Sequence, residues 1–132
     1  MSEKTHKLWK AANHGQRELV LQFLGEGADF EEKGGTTQCT PLHIAARHGH
    51  EDTVRLLLEC GACANVEDSH GETPLHDAAY TGRARVARML LDFGAHAWAK
   101  DAYGRTPEEI AMARSHYQLA AMFQAASMAK LG

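Results

Sequence analysis

The 132-residue sequence predicts an all-α solenoid of four stacked helix-turn-helix units joined by loops. Three observations carry that expectation. A Thr-Pro pair recurs at Thr40-Pro41, Thr73-Pro74 and Thr106-Pro107, a fixed spacing of 33 residues. Small residues follow each pair, as in Ala45-Ala46 and Ala78-Ala79, and an amphipathic run closed by glycine follows those. A period of this size is the mark of a repeat architecture, in which no unit can bury its apolar face alone.

The stretch from Gly71 to Gly82 shows the unit most clearly. Thr73 can cap the free N–H groups at a helix start, and Pro74 suits the first helical position, where its missing donor is not needed. Ala78 and Ala79 keep one face thin enough for a neighbouring helix to approach. Gly82 can adopt the left-handed conformation that ends a helix. Val86, Leu90 and Leu91 then stand at helical spacing, and Gly94 closes the second helix.

The first unit lacks the Thr-Pro signal and is recognised by its interior, since Leu8 to Gly15 aligns with Leu42 to Gly49 at an offset of 34 residues. Leu19, Val20, Phe23 and Leu24 mark its second helix, and Gly27 ends it. Lys4, Lys7, Lys10, Gln16 and Arg17 supply the polar outer side that a terminal unit needs. The extra residue falls in the loop from Asp29 to Cys39, where Gly34-Gly35-Thr36-Thr37 replaces the Asp-x-x-Gly of Asp68 to Gly71 and Asp101 to Gly104. That loop is expected to be longer, looser and the most mobile.

The second unit places Val54, Leu57 and Leu58 inside and Glu51, Asp52 and Arg55 outside; the third places Arg83, Arg85 and Arg88 in solvent. In the fourth, Thr106 and Glu109 form a capping box, the acid reaching back to the cap residue's N–H. Ser115 stands where a stopping glycine is expected, which implies strain of roughly 1 kcal/mol or a different helix end. Leu119, Ala120 and Phe123 make the inner face of a final helix, Gln118 and Gln124 dilute its outer face, Met122 and Met128 fold back as packing, and Ala129 to Gly132 fray.

Thr40-Pro-Leu-His-Ile-Ala and Thr73-Pro-Leu-His-Asp-Ala, one period apart, resemble the ankyrin repeat family, and the resemblance covers about Thr5 to Ala125. It implies one domain over residues 1–132, with repeats at about 5–37, 38–70, 71–103 and 104–129. It further implies antiparallel helix pairs with a projecting hairpin, stacked into a curved slab whose concave side grips protein partners. His43 and His76 then bond the cap threonines, and Trp98 replaces the hairpin-bracing residue Asn65. Length and repeat number are shared with the small four-repeat ankyrin inhibitors of cyclin-dependent kinases. That group shortens the first helix of its second repeat, whereas Pro41 to His48 reads as a full helix.

Composition narrows the function classes. A net charge of −3 gives no overall attraction to nucleic acid or anionic membrane. No apolar run approaches a membrane span, and the first residues lack a secretory apolar segment, so a cytoplasmic or nuclear monomer is expected. Three cysteines without disulfide density agree with a reducing compartment. Cys60-Gly-Ala-Cys63 opens an alternative of another class, a redox or metal-binding protein. The pair follows a helix end rather than opening a helix, and no second close pair could complete a zinc site; Cys60 reads as a buried filler and Cys63 as a loop residue. No nucleophile and base are seen to converge, and no phosphate-cradling loop is present, so no enzymatic activity and no cofactor are expected. His14 and His48 occupy equivalent positions and predict a mild pH dependence of binding.

Function then falls to positions that the repeat framework leaves free. These are Gln38, Ser69, His70, Glu72, Tyr103 and Arg105 on the hairpins, and Arg47, His48, Asp77, Tyr80, Thr81 and Arg114 on the first helices. Tyr and Arg are the types enriched at interface hot spots. Tyr80, Tyr103, Arg47 and Arg105 are the expected anchors for a protein or peptide partner carrying acidic groups, bound by an adaptor or stoichiometric inhibitor.

Overall fold

Each Thr-Pro pair opens a helix in the computed structural model, which describes residues 2–129. Among the described residues eight helices run in order: α1 Glu3–Asn13, α2 Arg17–Gly25, α3 Pro41–His48, α4 Glu51–Glu59, α5 Pro74–Thr81, α6 Ala84–Asp92, α7 Pro107–Ala113 and α8 Tyr117–Ala129. Successive helices pair into four units. First helices pack on first helices (α1, α3, α5, α7), and second helices on second (α2, α4, α6, α8), so the chain forms two helical layers. One continuous core runs between them, built from Leu8, Val20, Leu42, Val54, Leu57, Leu75, Val86, Leu90, Ile110, Leu119 and Phe123.

Helix starts follow local chemistry. The hydroxyls of Thr40, Thr73 and Thr106 accept from the backbone N–H three residues on. In units two and three the box is reciprocal: Nδ1 of His43 accepts from Thr40 N–H at 3.2 Å, and Nδ1 of His76 from Thr73 N–H at 3.0 Å. An accepting Nδ1 leaves the proton on Nε2, which donates to the next hairpin, His43 to the Glu72 carbonyl at 2.8 Å and His76 to the Arg105 carbonyl at 2.9 Å. Each histidine thus caps its own helix and ties it to the following unit. Burial, first among the causes, lowers the pKa of His43, as a neutral ring with an accepting nitrogen requires. The unfolded chain therefore binds more protons, and this site's contribution is lost as pH falls below the ordinary histidine value.

The expected capping box of unit four forms differently. Glu109 is exposed, and its carboxylate accepts from the Thr106 hydroxyl at 3.3 Å rather than from the cap N–H. At the other end of the chain Ser2, which the Thr-Pro pattern does not reveal, caps α1 by accepting from Thr5 N–H.

Helix stops are tied to stacking. Gly49 and Gly82 are left-handed, both with φ of 72°, and a Cβ on either would meet a side chain of the next unit, Arg83 at 2.7 Å and His116 at 2.8 Å. Gly15 is covered in the same way by His50. Ser115 keeps the left-handed turn at φ 63° without a glycine, and no fifth repeat follows it among the described residues. Ser115→Gly is expected to stabilise the fold by about 0.5–1 kcal/mol, the relief of φ strain less the added freedom of the unfolded chain. A urea melt checks this, and a loss of stability would refute it.

Hairpin tips join across units, with Ser69 N–H donating to the Thr37 carbonyl and Ala102 N–H to the His70 carbonyl, at 2.9 and 2.8 Å. Asp68 and Asp101 organise the second and third tips, each accepting two backbone N–H groups on one oxygen. The first tip lacks that aspartate and closes instead by paired hydrogen bonds between Gly34 and Cys39. Asn65 bridges to the next loop, donating to the Gly94 carbonyl and accepting from His96 N–H. Trp98, one period later, stacks on His96 with centroids 4.8 Å apart.

Two packing expectations fail. Cys60 is exposed, because it caps the C-terminus of α4 in solvent while Leu57 and Leu58 fill the interior; the buried cysteine is Cys39. Met128 is 63% exposed, since Phe123 and Leu119 already fill the seat beneath α8, although Met122 does pack on the core. Of the segment expected to fray, Ala129 ends α8 and residues 130–132 lie outside the described residues.

Candidate protein-binding surface

The hairpin preceding α7 and the C-terminal turns of α5 and α7 bring four sequence-predicted residues together. Arg105 sits immediately before the cap residue of α7, so its side chain lies beside the third hairpin and beside α5. Its guanidinium carbon lies 5.1 Å from the centre of the Tyr103 ring and 5.9 Å from that of Tyr80. Arg114, at the end of α7, approaches the same Tyr80 ring at 5.3 Å. Tyr80 therefore serves two cations, and Tyr103 extends the row into solvent with 73% of its surface exposed. Such ring-guanidinium contacts order long side chains before any ligand arrives.

Carboxylates hold Arg105 in place. Its Nε and Nη2 both lie 3.0 Å from Asp101 Oδ2, Nη1 donates to Tyr80 Oη at 3.4 Å, and Glu72 Oε1 is 3.9 Å from Nη2. Burial works against the charge on Asp101, but N–H groups of Arg105 and Tyr103 outweigh it and hold the carboxyl below its ordinary range. Glu72 moves the other way, pushed up by burial and by Asp68.

Arg47 and Asp77 form a separate pair. Asp77 is 2% exposed, and its Oδ1 accepts from Arg47 Nε at 3.3 Å and Nη2 at 3.2 Å. Its other oxygen is buried without a partner. Burial drives its pKa up to about 7 despite the attraction of Arg47. Arg47 also reaches Cys39 Sγ at 3.5 Å, so this expected anchor is committed internally, and Asp77 presents no surface to a partner.

The remaining candidates are scattered. Gln38, Ser69 and His70 are exposed on the first two tips, and Gln38 is itself left-handed with φ of 56°. Thr81 is exposed beside Tyr80. His48 is exposed near His50, with ring centroids 5.9 Å apart. Burial, then the charges of His50, Arg47, Arg83 and His14, lower its pKa. Among the described residues no group of three or more His, Cys, Asp or Glu could hold a metal ion, and no helix is long and apolar enough to cross a membrane. The pairing of Arg105 with Asp101 and the burial of Asp77 are details that residue type alone did not reveal. The i,i+4 spacing of Asp101 and Arg105 is the one signal that could have found the first of them.

The molecule so described is a helical repeat solenoid of paired helices. Residues 8–101 match the family model for ankyrin repeats in three copies, and the chain belongs to the ankyrin repeat family, a non-catalytic module generally used for interactions between proteins. Among similar proteins is a fission yeast "ankyrin repeat-containing protein P1E11.10" (Schizosaccharomyces pombe), 38% identical over 76 residues, covering 55% of this chain and 35% of the relative. The palmitoyltransferase Hip14 of Drosophila melanogaster is 39% identical over 70 residues, covering 53% of this chain and 11% of that protein. The neurogenic locus notch homolog protein 1 of Xenopus laevis is 40% identical over 55 residues, covering 42% and 2%. The chain thus spans about a third or less of the length of these relatives.

Proposed function

We propose that this chain is a non-catalytic binding module, an adaptor or stoichiometric inhibitor, which holds a protein or peptide partner against its hairpin tips and first helices. The observation that carries the reading is the row Tyr103, Arg105, Tyr80, Arg114, in which two exposed and two half-buried aromatic and arginine side chains hold one another in place through ring-guanidinium contacts. Residues of these types in such a setting give most of the energy of protein interfaces, and preorganisation lowers the entropic cost of association. The narrower reading, a kinase inhibitor of the four-repeat ankyrin type, is not favoured, because α3 and α5 are both eight residues long and the shortened helix of that group is absent.

The test starts from a partner isolated by crosslinking in cell extract and then purified. Tyr80→Ala with Tyr103→Ala is expected to weaken its affinity about 30-fold or more, as loss of two hot-spot residues requires. Both sites are at least partly exposed, so the fold survives, which a thermal melt verifies. Unchanged affinity would remove this face from the interface.

A further inference from the structure

We propose that the tyrosine-arginine row reads a single carboxylate on the partner, with Arg114 taking the acid and Arg105 serving to position the rings. This rests on the binding reading above and adds the chemistry of the ligand and the division of labour between the arginines. The two cations are in different situations. Arg105 spends its donors on Asp101 and Tyr80, and lies between two rings. Arg114 is exposed, lies over the face of Tyr80, and has no carboxylate oxygen of a described residue within 4.0 Å of its nitrogens. A guanidinium lying over a ring keeps its N–H fork free at the edge, where a carboxylate can accept two parallel hydrogen bonds.

Charge balance selects the ligand. Arg105 and Arg114 are accompanied by Asp101 and Glu72, so the row as a whole is close to neutral. A phosphate dianion or a nucleic-acid backbone would meet both carboxylates along with Arg114, on a protein of net charge −3. One carboxylate needs only the free fork. Beside it the exposed ring of Tyr103 offers a flat apolar face, which fits an aliphatic or aromatic residue adjacent to the acid. The ligand is an Asp or Glu side chain next to such a residue.

The test pans a random peptide display library on the wild-type protein after depletion on the Y80A/Y103A variant, then measures affinities of synthetic versions of the enriched peptides. Enriched sequences are expected to share an Asp or Glu beside an apolar or aromatic residue. Arg114→Gln should weaken binding about tenfold and abolish its salt dependence, and replacing the peptide's acid by its amide should then cost nothing further. Arg105→Gln should weaken binding about threefold but keep the salt dependence, since the anion contact remains. A phosphoserine version and a single-stranded oligonucleotide should bind more weakly than the carboxylate peptide. Failure to enrich any sequence dependent on Tyr80 and Tyr103 would overturn the binding face itself. Enriched peptides without an acid, indifference of R114Q, loss of salt dependence in R105Q, or tighter binding of the phosphorylated peptide or oligonucleotide would leave that face standing and overturn the carboxylate assignment.

Discussion

His76→Ala is expected to lower the unfolding free energy by about 3–4 kcal/mol, while Glu109→Ala, at the equivalent position one repeat later, costs under about 1 kcal/mol. His76 is fully buried. Truncating it leaves a cavity, strips Thr73 N–H of its acceptor and removes the donor to the Arg105 carbonyl. Glu109 lies in solvent and accepts only from the Thr106 hydroxyl, which water can replace. Urea unfolding of both variants measures the contrast. Equal losses would mean that the repeat stands on its helices alone and that the histidine tie between units is incidental.

The second large effect concerns a charge buried at a cost. The pKa of Asp77 rises from 3.8 unfolded to about 7 folded, so over that interval the native state holds more protons than the unfolded state. Stability linked to this group is therefore greatest below the unfolded value and is lost as pH rises through the folded one. Burial of the carboxyl is the cause, and Arg47 offsets it only in part because it reaches one oxygen while the other has no hydrogen bond. Asp77→Asn keeps the shape and an acceptor for Arg47 while removing the buried charge. It should raise stability on the order of 1–2 kcal/mol near pH 8 and give no gain near pH 5, where the wild-type carboxyl is already neutral. His43 titrates in the opposite sense, losing stability as pH falls, but it is common to both proteins and cancels in the difference. A variant less stable than wild type near pH 8 would show that the ion pair is net stabilising.

Much of this molecule is legible in its letters because repeats say the same thing several times. The Thr-Pro starts, the Ala-Ala faces and the glycine stops each act through local backbone chemistry, which a sequence displays directly. What escaped the sequence depends on distance between units. Nothing in the letters shows that Nε2 of His43 and His76 reaches a carbonyl 29 residues ahead, nor that His50, Arg83 and His116 lie over the preceding glycines. The same limit governs the surface. Tyr80, Tyr103 and Arg105 could be chosen by residue type, but the choice also included Arg47 and Asp77, whose pairing, with the burial of Asp77, arises only when α3 and α5 pack together. Arg114 gained importance for the converse reason, since stacking α7 on α5 brings it over Tyr80 with no carboxylate oxygen of a described residue within 4.0 Å of its nitrogens. Cys60 shows the error that residue type invites, because a small apolar side chain just past a run of leucines reads as filler, whereas the C-cap of α4 stands in solvent.

Site-specific photocrosslinking tests the central claim, that this face holds a partner, most directly. A benzophenone amino acid is placed at Tyr103 in one version of the protein and at Arg88, on the exposed side of α6, in another, and each is irradiated with the isolated partner. Adducts from position 103 and none from position 88 are the expected result; adducts from 88 alone would place the partner on the opposite helical layer and contradict the account.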